Sequence, residues 1–66
     1  MTGKIARLLL DKGFGFIASG NKEYFFHRSA CSNIFEFAEG DTVYFDEEKS
    51  DKGPRAGNVR FTTELD

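Results

Sequence analysis

The sequence predicts an all-β domain, a five-stranded antiparallel barrel, from three observations. Ten of the 66 residues are aromatic, and aromatic and β-branched residues favour strands over helices. No stretch of 11 residues repeats apolar side chains at helical spacing between caps. Short strand-like segments instead alternate with turn residues along the whole chain. Closing five such strands into a barrel removes the edges that an open sheet would leave.

Five segments carry the strand pattern, and residues 1–66 are expected to form one domain. The predicted strands are Lys4–Leu10, Gly15–Ser19, Glu23–His27, Thr42–Glu48 and Asn58–Thr62. Lys12-Gly13 separates the first two strands, and Gly20-Asn21 closes a tight hairpin because both residues tolerate positive φ. A barrel of the OB type is the natural architecture for five short strands at this length.

Two longer connections complete the predicted chain path. Residues 28–41 form a crossover, with one short helical turn after Ser29. Residues 50–54 are predicted to be a loop, because they are rich in turn-forming residues and Pro54 cannot donate to a strand ladder.

Charge is divided unevenly along the chain, although the net charge is only −2. Residues 1–30 carry five basic and two acidic side chains, whereas residues 31–66 carry four basic and nine acidic ones. A polyanion would be attracted to the first part and repelled by part of the second. The alternative is that the acidic residues only keep a small protein soluble. Without a membrane-spanning run or a signal-peptide pattern, we expect a cytoplasmic protein and no membrane partner.

Catalytic and metal-binding chemistry has little support in the sequence. The single cysteine, Cys31, excludes an internal disulfide, and together with the single His27 it cannot complete a zinc site. No third group accompanies these two residues to form a nucleophile and base pair, and Cys31 is read as a small apolar filler. Glu47 and Glu48 are typical of a solvated strand end. We therefore expect neither an enzyme nor a cofactor.

Strand alternation predicts which side chains point outward from the second and third strands. Ile17, Tyr24 and Phe26 are assigned to the core. The opposite side then carries the set called here the aromatic face: Phe14, Phe16, Phe25 and His27. Such exposed rings are unfavourable unless something covers them, and nucleobases stack on aromatic rings with about 1–3 kcal/mol per base. The alternative is that these rings belong to the core or to a protein interface.

Basic residues surround the predicted aromatic face and would neutralise backbone phosphates. These rim residues are Lys12, Lys22, Arg28, Lys52 and Arg55.

Four blocks of sequence together resemble the cold-shock family. Lys12–Ile17 (KGFGFI) is similar to the first ribonucleoprotein motif, and Tyr24–Ala30 (YFFHRSA) to the family's Val-Phe-Val-His block. Glu39–Val43 (EGDTV) and Lys52–Val59 (KGPRAGNV) resemble two further family blocks. The resemblance covers nearly the whole chain in the right order. It implies a five-stranded barrel that binds single-stranded RNA or DNA on the second and third strands, in the manner of an RNA chaperone.

Roles for individual residues follow from the same resemblance. Phe14, Phe16 and Phe25 would be stacking platforms, and His27 would stack on a base or bond to its edge. Lys12 and Lys52 would lie beside phosphates.

The first strand departs from the family pattern, which reads Gly-x-Val-Lys-Trp-Phe-Asn. Ala6, Arg7, Leu8 and Leu9 stand where the family has its basic, tryptophan, phenylalanine and asparagine residues, and Arg28 replaces the aromatic after the histidine. A guanidinium plane stacks on bases and also pairs with phosphate, so Arg7 and Arg28 are predicted to compensate in part. Binding should then depend less on stacking and more on salt concentration than it does in typical members of the family.

A second interpretation follows from the three consecutive leucines, Leu8, Leu9 and Leu10. One of them is predicted either to occupy a bulge or fill barrel volume, or else to contribute to an apolar patch. In the second case the chain would be a divergent cold-shock fold with weakened nucleic-acid binding, acting through protein contacts or dimerisation. Arg7 and Arg28 beside the aromatic face would favour nucleic-acid binding, and Leu8 covering that face would favour the alternative. The sequence leaves the choice between monomer and dimer open.

Overall fold

The computed structural model describes residues 1–51 and 53–61, which form a closed barrel with strand order β1-β2-β3-β5-β4. The strands are β1 (Thr2–Leu9), β2 (Phe14–Ser19), β3 (Lys22–His27), β4 (Thr42–Ser50) and β5 (Gly53–Phe61). Neighbouring strands are antiparallel except β3 and β5, which run parallel where Phe25 meets Arg55. The predicted all-β barrel is confirmed, with this one parallel pair among its strand pairs.

The β4–β5 hairpin is longer than the sequence predicts. β4 continues to Ser50 and β5 begins at Gly53, so the loop predicted over residues 50–54 is too long at both ends. Pro54 lies in β5 opposite Lys49. It is the second residue of the strand, close to the strand start where a missing N–H is tolerated. The predicted strand end at Thr62 lies outside the described residues.

The crossover between β3 and β4 contains two single turns of 3-10 helix. They span Arg28–Ala30 and Ile34–Glu36, so the one turn predicted after Ser29 begins earlier and has a second beside it. Asn33 caps the second turn, because its Oδ1 accepts a hydrogen bond from the N–H of Phe35. This second turn places Ile34 in the core.

The core is apolar and draws on every strand and on the crossover. The predicted core residues Ile17, Tyr24 and Phe26 are confirmed, with exposures of 0, 2 and 0%. Tyr24 packs on Phe45 with ring centroids 4.9 Å apart. The full buried cluster is Ile5, Ile17, Tyr24, Phe26, Ile34, Phe37, Val43, Phe45, Ala56 and Val59.

A β-bulge at Ala6 sets the direction of every later side chain in β1. Ile5 lies opposite Ile17 and Arg7 lies opposite Phe16, so Ala6 is the extra residue. Ile5 is buried, and without the bulge Arg7 would point inward beside it. The bulge instead turns Arg7 outward and Leu8 into the barrel, where Leu8 packs against the core.

Candidate nucleic-acid interface

Three phenylalanines form a contiguous cluster on the outer side of β2 and β3. Phe14, Phe16 and Phe25 are each half-buried, and their ring centroids are 5.5 to 6.0 Å apart. Register explains the cluster, because Phe16 lies opposite Phe25, and residues opposite each other on antiparallel strands share one side of the sheet. The structure therefore brings together the rings of the predicted aromatic face.

One row of this face is bounded by an arginine at each end. Across neighbouring strands the row reads Arg7, Phe16, Phe25 and Arg55. The guanidinium carbon of Arg55 lies 5.7 Å from the ring centroid of Phe25, within cation–π distance. Arg7 is exposed, so its charge remains available to an anion. The row therefore has aromatic rings at its centre and a cation at each end.

The adjacent row consists of Leu9, Phe14 and His27. The Nδ1 of His27 accepts a hydrogen bond of 3.1 Å from the N–H of Ser29, which caps the first 3-10 turn. This bond assigns the proton of the neutral imidazole to Nε2. The Nε2–H group takes no part in this cap.

Glycine lets two chain segments approach each other closely beside this row. A Cβ on Gly15 would lie 2.8 Å from the carbonyl oxygen of Arg7 and 2.8 Å from the Phe26 ring. Gly15 therefore lets the backbone of β1 and the ring of Phe26 lie close to β2. Gly13 has φ +77° and lies against the aliphatic stem of Arg28, which is 3.1 Å from an added Cβ. Arg28 is thereby held next to the start of β2, with its guanidinium exposed.

The remaining predicted rim residues lie at strand ends. Lys12 is exposed in the turn between β1 and β2, and Lys22 is exposed at the first position of β3. The predicted phosphate contact Lys52 lies outside the described residues.

Arg55 also borders an open cleft of about 480 Å³ beside the aromatic face. Its lining residues are Phe16, Phe25, Ser50, Gly53, Pro54 and Arg55. The Nε–H of Arg55 is shielded from solvent, and no described residue accepts a hydrogen bond from it. A buried donor without a partner costs about 1–3 kcal/mol.

A family model for the 'Cold-shock' DNA-binding domain matches residues 1–62. The chain belongs to the cold-shock domain family.

Curated relatives agree with this assignment over most of their length. Cold shock-like protein CspB of Escherichia coli K12 is 44% identical over 66 aligned positions, which cover 94% of this chain and 93% of the relative. Cold shock protein 1 of Lactiplantibacillus plantarum is 49% identical over 53 positions, covering 74% of this chain and 79% of the relative. Cold shock-like protein CspE of Bacillus anthracis is 39% identical over 62 positions, which cover 89% of this chain and 92% of the relative.

The altered first strand of this cold-shock domain still places a cation beside the aromatic face. Arg7, at the family's tryptophan position, lies opposite Phe16, and Leu9 lies opposite Phe14. Leu8 packs inside the barrel, as one of the two interpretations of the leucine run predicts. The bulge lies at Ala6 and not at a leucine. Leu10, which follows β1, is 37% exposed.

The outer side of the β4–β5 hairpin is negatively charged, in contrast to the positively charged outer side of β1. Glu48 lies opposite Arg55, and Asp46 lies opposite Gly57 two residues earlier on the same side. The carboxylate of Glu48 lies directly over Gly57. Glu47, between them, is exposed. The surface therefore changes from cationic at β1 to anionic at β4, which agrees with the charge division along the sequence.

Phe35 is a candidate residue that the strand pattern does not identify. It is 71% exposed in the second 3-10 turn, and it pairs with no other aromatic ring in the part of the chain that the structure describes. Its neighbours Ile34 and Phe37 are buried. The i, i+3 spacing of a 3-10 turn could have revealed it, because that spacing turns Ile34 and Phe37 inward together and leaves Phe35 outside.

Cys31 is half-buried and packs against the core, in keeping with the predicted filler role. Burial, with a smaller contribution from Glu36, raises the pKa of its thiol. Within residues 1–51 and 53–61, no three His, Cys, Asp or Glu side chains are grouped as metal ligands would be. No helix in these same residues has the length and apolar character needed to cross a membrane.

Proposed function

We propose that this cold-shock domain binds single-stranded RNA or DNA on its aromatic face, by stacking bases on Phe14, Phe16 and Phe25. One observation carries the proposal: three phenylalanines cluster on the outside of a barrel whose core is already filled by other rings. A soluble domain gains little stability from such a cluster, whereas each stacked base contributes about 1–3 kcal/mol.

Charge supports the same surface. Arg7 at one end of the ring row and Lys12 and Arg28 near Phe14 place cations where a strand crossing β1 and β2 would carry phosphates. The carboxylates of Asp46 and Glu48 on β4 would repel phosphate on the other side. The nucleic-acid backbone is therefore expected to run along the β1–β2 side of the face, with its bases turned toward β3.

The cellular role that follows is that of an RNA chaperone. A protein that binds only unpaired strands shifts the equilibrium between paired and unpaired RNA by mass action. No covalent chemistry is needed, so we propose that the chain acts as a single non-catalytic binding domain in the cytoplasm.

A second candidate function is association with a protein or with another copy of the chain. Leu9 favours it, because this apolar side chain extends the aromatic face onto β1. The two candidate functions can be distinguished by experiment. Binding of a nucleic acid weakens as the salt concentration rises, whereas association through apolar side chains requires no nucleic acid and does not weaken with salt in this way.

The test is fluorescence anisotropy of a dye-labelled heptathymidine, because the chain has no tryptophan to report binding. The wild-type chain is expected to bind at micromolar or lower concentration. The Phe16→Leu/Phe25→Leu variant keeps apolar bulk and removes both rings, and it should weaken binding at least about 30-fold. Tyr44→Leu is the matched control, because Tyr44 is a half-buried ring on β4 that contacts Arg60.

The control variant should bind within about twofold of wild type. Absence of wild-type binding at high micromolar protein, with a folded circular dichroism spectrum, would overturn the proposal. Sedimentation of the same sample would then show whether a dimer forms.

A further inference from the structure

The cleft beside the aromatic face has the walls that a flat base requires. Phe16, Phe25 and Pro54 supply apolar surface, and Arg55 supplies the charged group. Ser50 also lines the cleft, but its hydroxyl already donates to the carbonyl oxygen of Gly53 over 2.8 Å. Arg55 is therefore the charged donor among the lining side chains. Its Nε–H is shielded, so a ligand in the cleft would meet the two terminal NH₂ groups of the guanidinium.

The position of Arg55 is restrained by Phe25. The parallel pairing of β3 and β5 places it next to Phe25, and its guanidinium lies 5.7 Å from the centroid of that ring. An arginine held in this way loses less conformational freedom when it binds a ligand than a free one would. A base stacked in the cleft brings its edge toward the donors of this guanidinium.

Nearby carboxylates make Arg55 a poor phosphate ligand. Glu48 lies directly opposite Arg55, and Asp46 follows on the same side of β4. Phosphate approaching Arg55 would be repelled by both, whereas a neutral base edge would not. Arg7, in contrast, lies at the far end of the row on β1, away from these two acidic residues.

We infer that Arg55 makes this cleft a subsite that prefers guanine. Guanine presents two acceptors, O6 and N7, on one edge, and a guanidinium fork donates to both at once. Adenine replaces O6 with a donor, and pyrimidines lack N7. The inference rests on the proposed binding of single strands to the aromatic face, and it adds a base preference to that face.

The test compares heptathymidine with seven heptamers that each carry one guanine. At one or more positions, guanine is expected to tighten binding about tenfold, as a bidentate arginine contact does. Inosine keeps O6 and N7 and should retain the gain. Adenine and 7-deazaguanine should not, because each lacks one of the two acceptors.

Variants at Arg55 separate base recognition from phosphate neutralisation. Arg55→Gln and Arg55→Lys should both lose the guanine gain, measured against the heptathymidine affinity of the same variant, because neither side chain has the fork of donors that a guanidinium has. Arg60→Gln is the matched control, since Arg60 lies on the same strand and has its own ring contact with Tyr44. It should keep the gain.

Four results would overturn the inference. Heptathymidine binding with no guanine gain above twofold would leave the proposed function standing without this subsite. A gain that persists in Arg55→Gln would place guanine recognition elsewhere, and a loss of all oligonucleotides in Arg55→Gln that Arg55→Lys restores would make Arg55 a phosphate ligand. Failure of the wild-type chain to bind any heptamer would remove both the inference and the proposed function.

Discussion

The β2–β3 hairpin carries aromatic side chains on both of its sides, and the two sets are buried to different extents. On the inner side Tyr24 and Phe26 are 2 and 0% exposed. On the outer side Phe16 and Phe25 are half-buried and contact other members of the aromatic face. Residue type is nearly the same on both sides, so composition alone does not distinguish core rings from binding rings.

The position of each ring in the alternating side-chain pattern of the strand decides whether the ring is buried in the core or lies on the outer side. A strand turns successive side chains to opposite sides, so Phe25 and Phe26 cannot both enter one core. The inner rings stabilise the barrel, and the outer rings remain available to a ligand. Separate stability and binding measurements should therefore respond to different members of one hairpin.

The largest expected effect is on stability, from Phe26→Ala on the inner side. Removing a buried phenylalanine costs about 3–5 kcal/mol. That loss is most of the free energy of unfolding of a small domain, because this free energy is only about 5–15 kcal/mol for native domains. We expect urea unfolding, followed by far-ultraviolet circular dichroism, to find this variant largely unfolded.

Phe25→Ala, on the adjacent outer position, is the comparison. It removes cross-strand contacts worth about 1 kcal/mol and should leave a folded barrel. Equal destabilisation by the two substitutions would contradict the division between the two sides.

The next effect is a gain in binding from Arg7→Trp. Arg7 lies opposite Phe16 on the outer side of β1, and a tryptophan there would add a fourth ring to the face. One added stacking platform should tighten heptathymidine binding about tenfold in anisotropy titrations. Arg7→Leu controls for loss of charge without gain of a ring and should bind more weakly than wild type. Equal affinities for the two variants would mean that Arg7 does not reach the bound strand.

The wild-type salt dependence should be moderate. In the proposed interface Arg7, Lys12 and Arg28 contact three phosphates, and each contact contributes roughly −0.7 to the slope of log affinity against log salt concentration for a single strand. The expected slope is therefore about −2, and Lys12→Gln should make it less steep by about 0.7. A slope near zero would show that binding does not involve these cations.

A smaller effect is expected from Phe35→Ala in the crossover. Its ring is 71% exposed, so its removal should leave the urea midpoint unchanged. A ring of this exposure is available for stacking, and its loss should weaken heptathymidine binding about fivefold. Unchanged affinity would exclude the ring of Phe35 from the interface.

The hairpin was predictable from sequence because its geometry is local. Strand alternation with period two fixes the sides of Ile17, Tyr24 and Phe26 once β2 and β3 are recognised, and a Gly-Asn turn fixes their pairing. The aromatic face follows from the same register, and the structure places its rings as expected.

The first and last strands were less predictable because their geometry depends on bulges and distant partners. Ala6 has no feature that marks a bulge, yet it reverses the sides of Arg7 and Leu8. Pro54 suggests a break, although a position near the start of β5 tolerates it. Asn58 adopts a positive φ of 52° where the β4–β5 register shifts, and asparagine is one of the few residues for which that is common. The parallel pairing that sets Arg55 beside Phe25 joins residues 30 positions apart.

A titration of the isotope-labelled chain with heptathymidine, followed by amide chemical shifts in NMR spectra, locates the bound strand most directly. The largest shifts should fall on Phe14–Phe16 and Phe25–His27, with smaller shifts at Arg7. The ladder between Thr2–Lys4 and Thr42–Tyr44, which joins β1 to β4, should change little. Shifts concentrated on that ladder, with β2 and β3 unchanged, would contradict binding on the aromatic face.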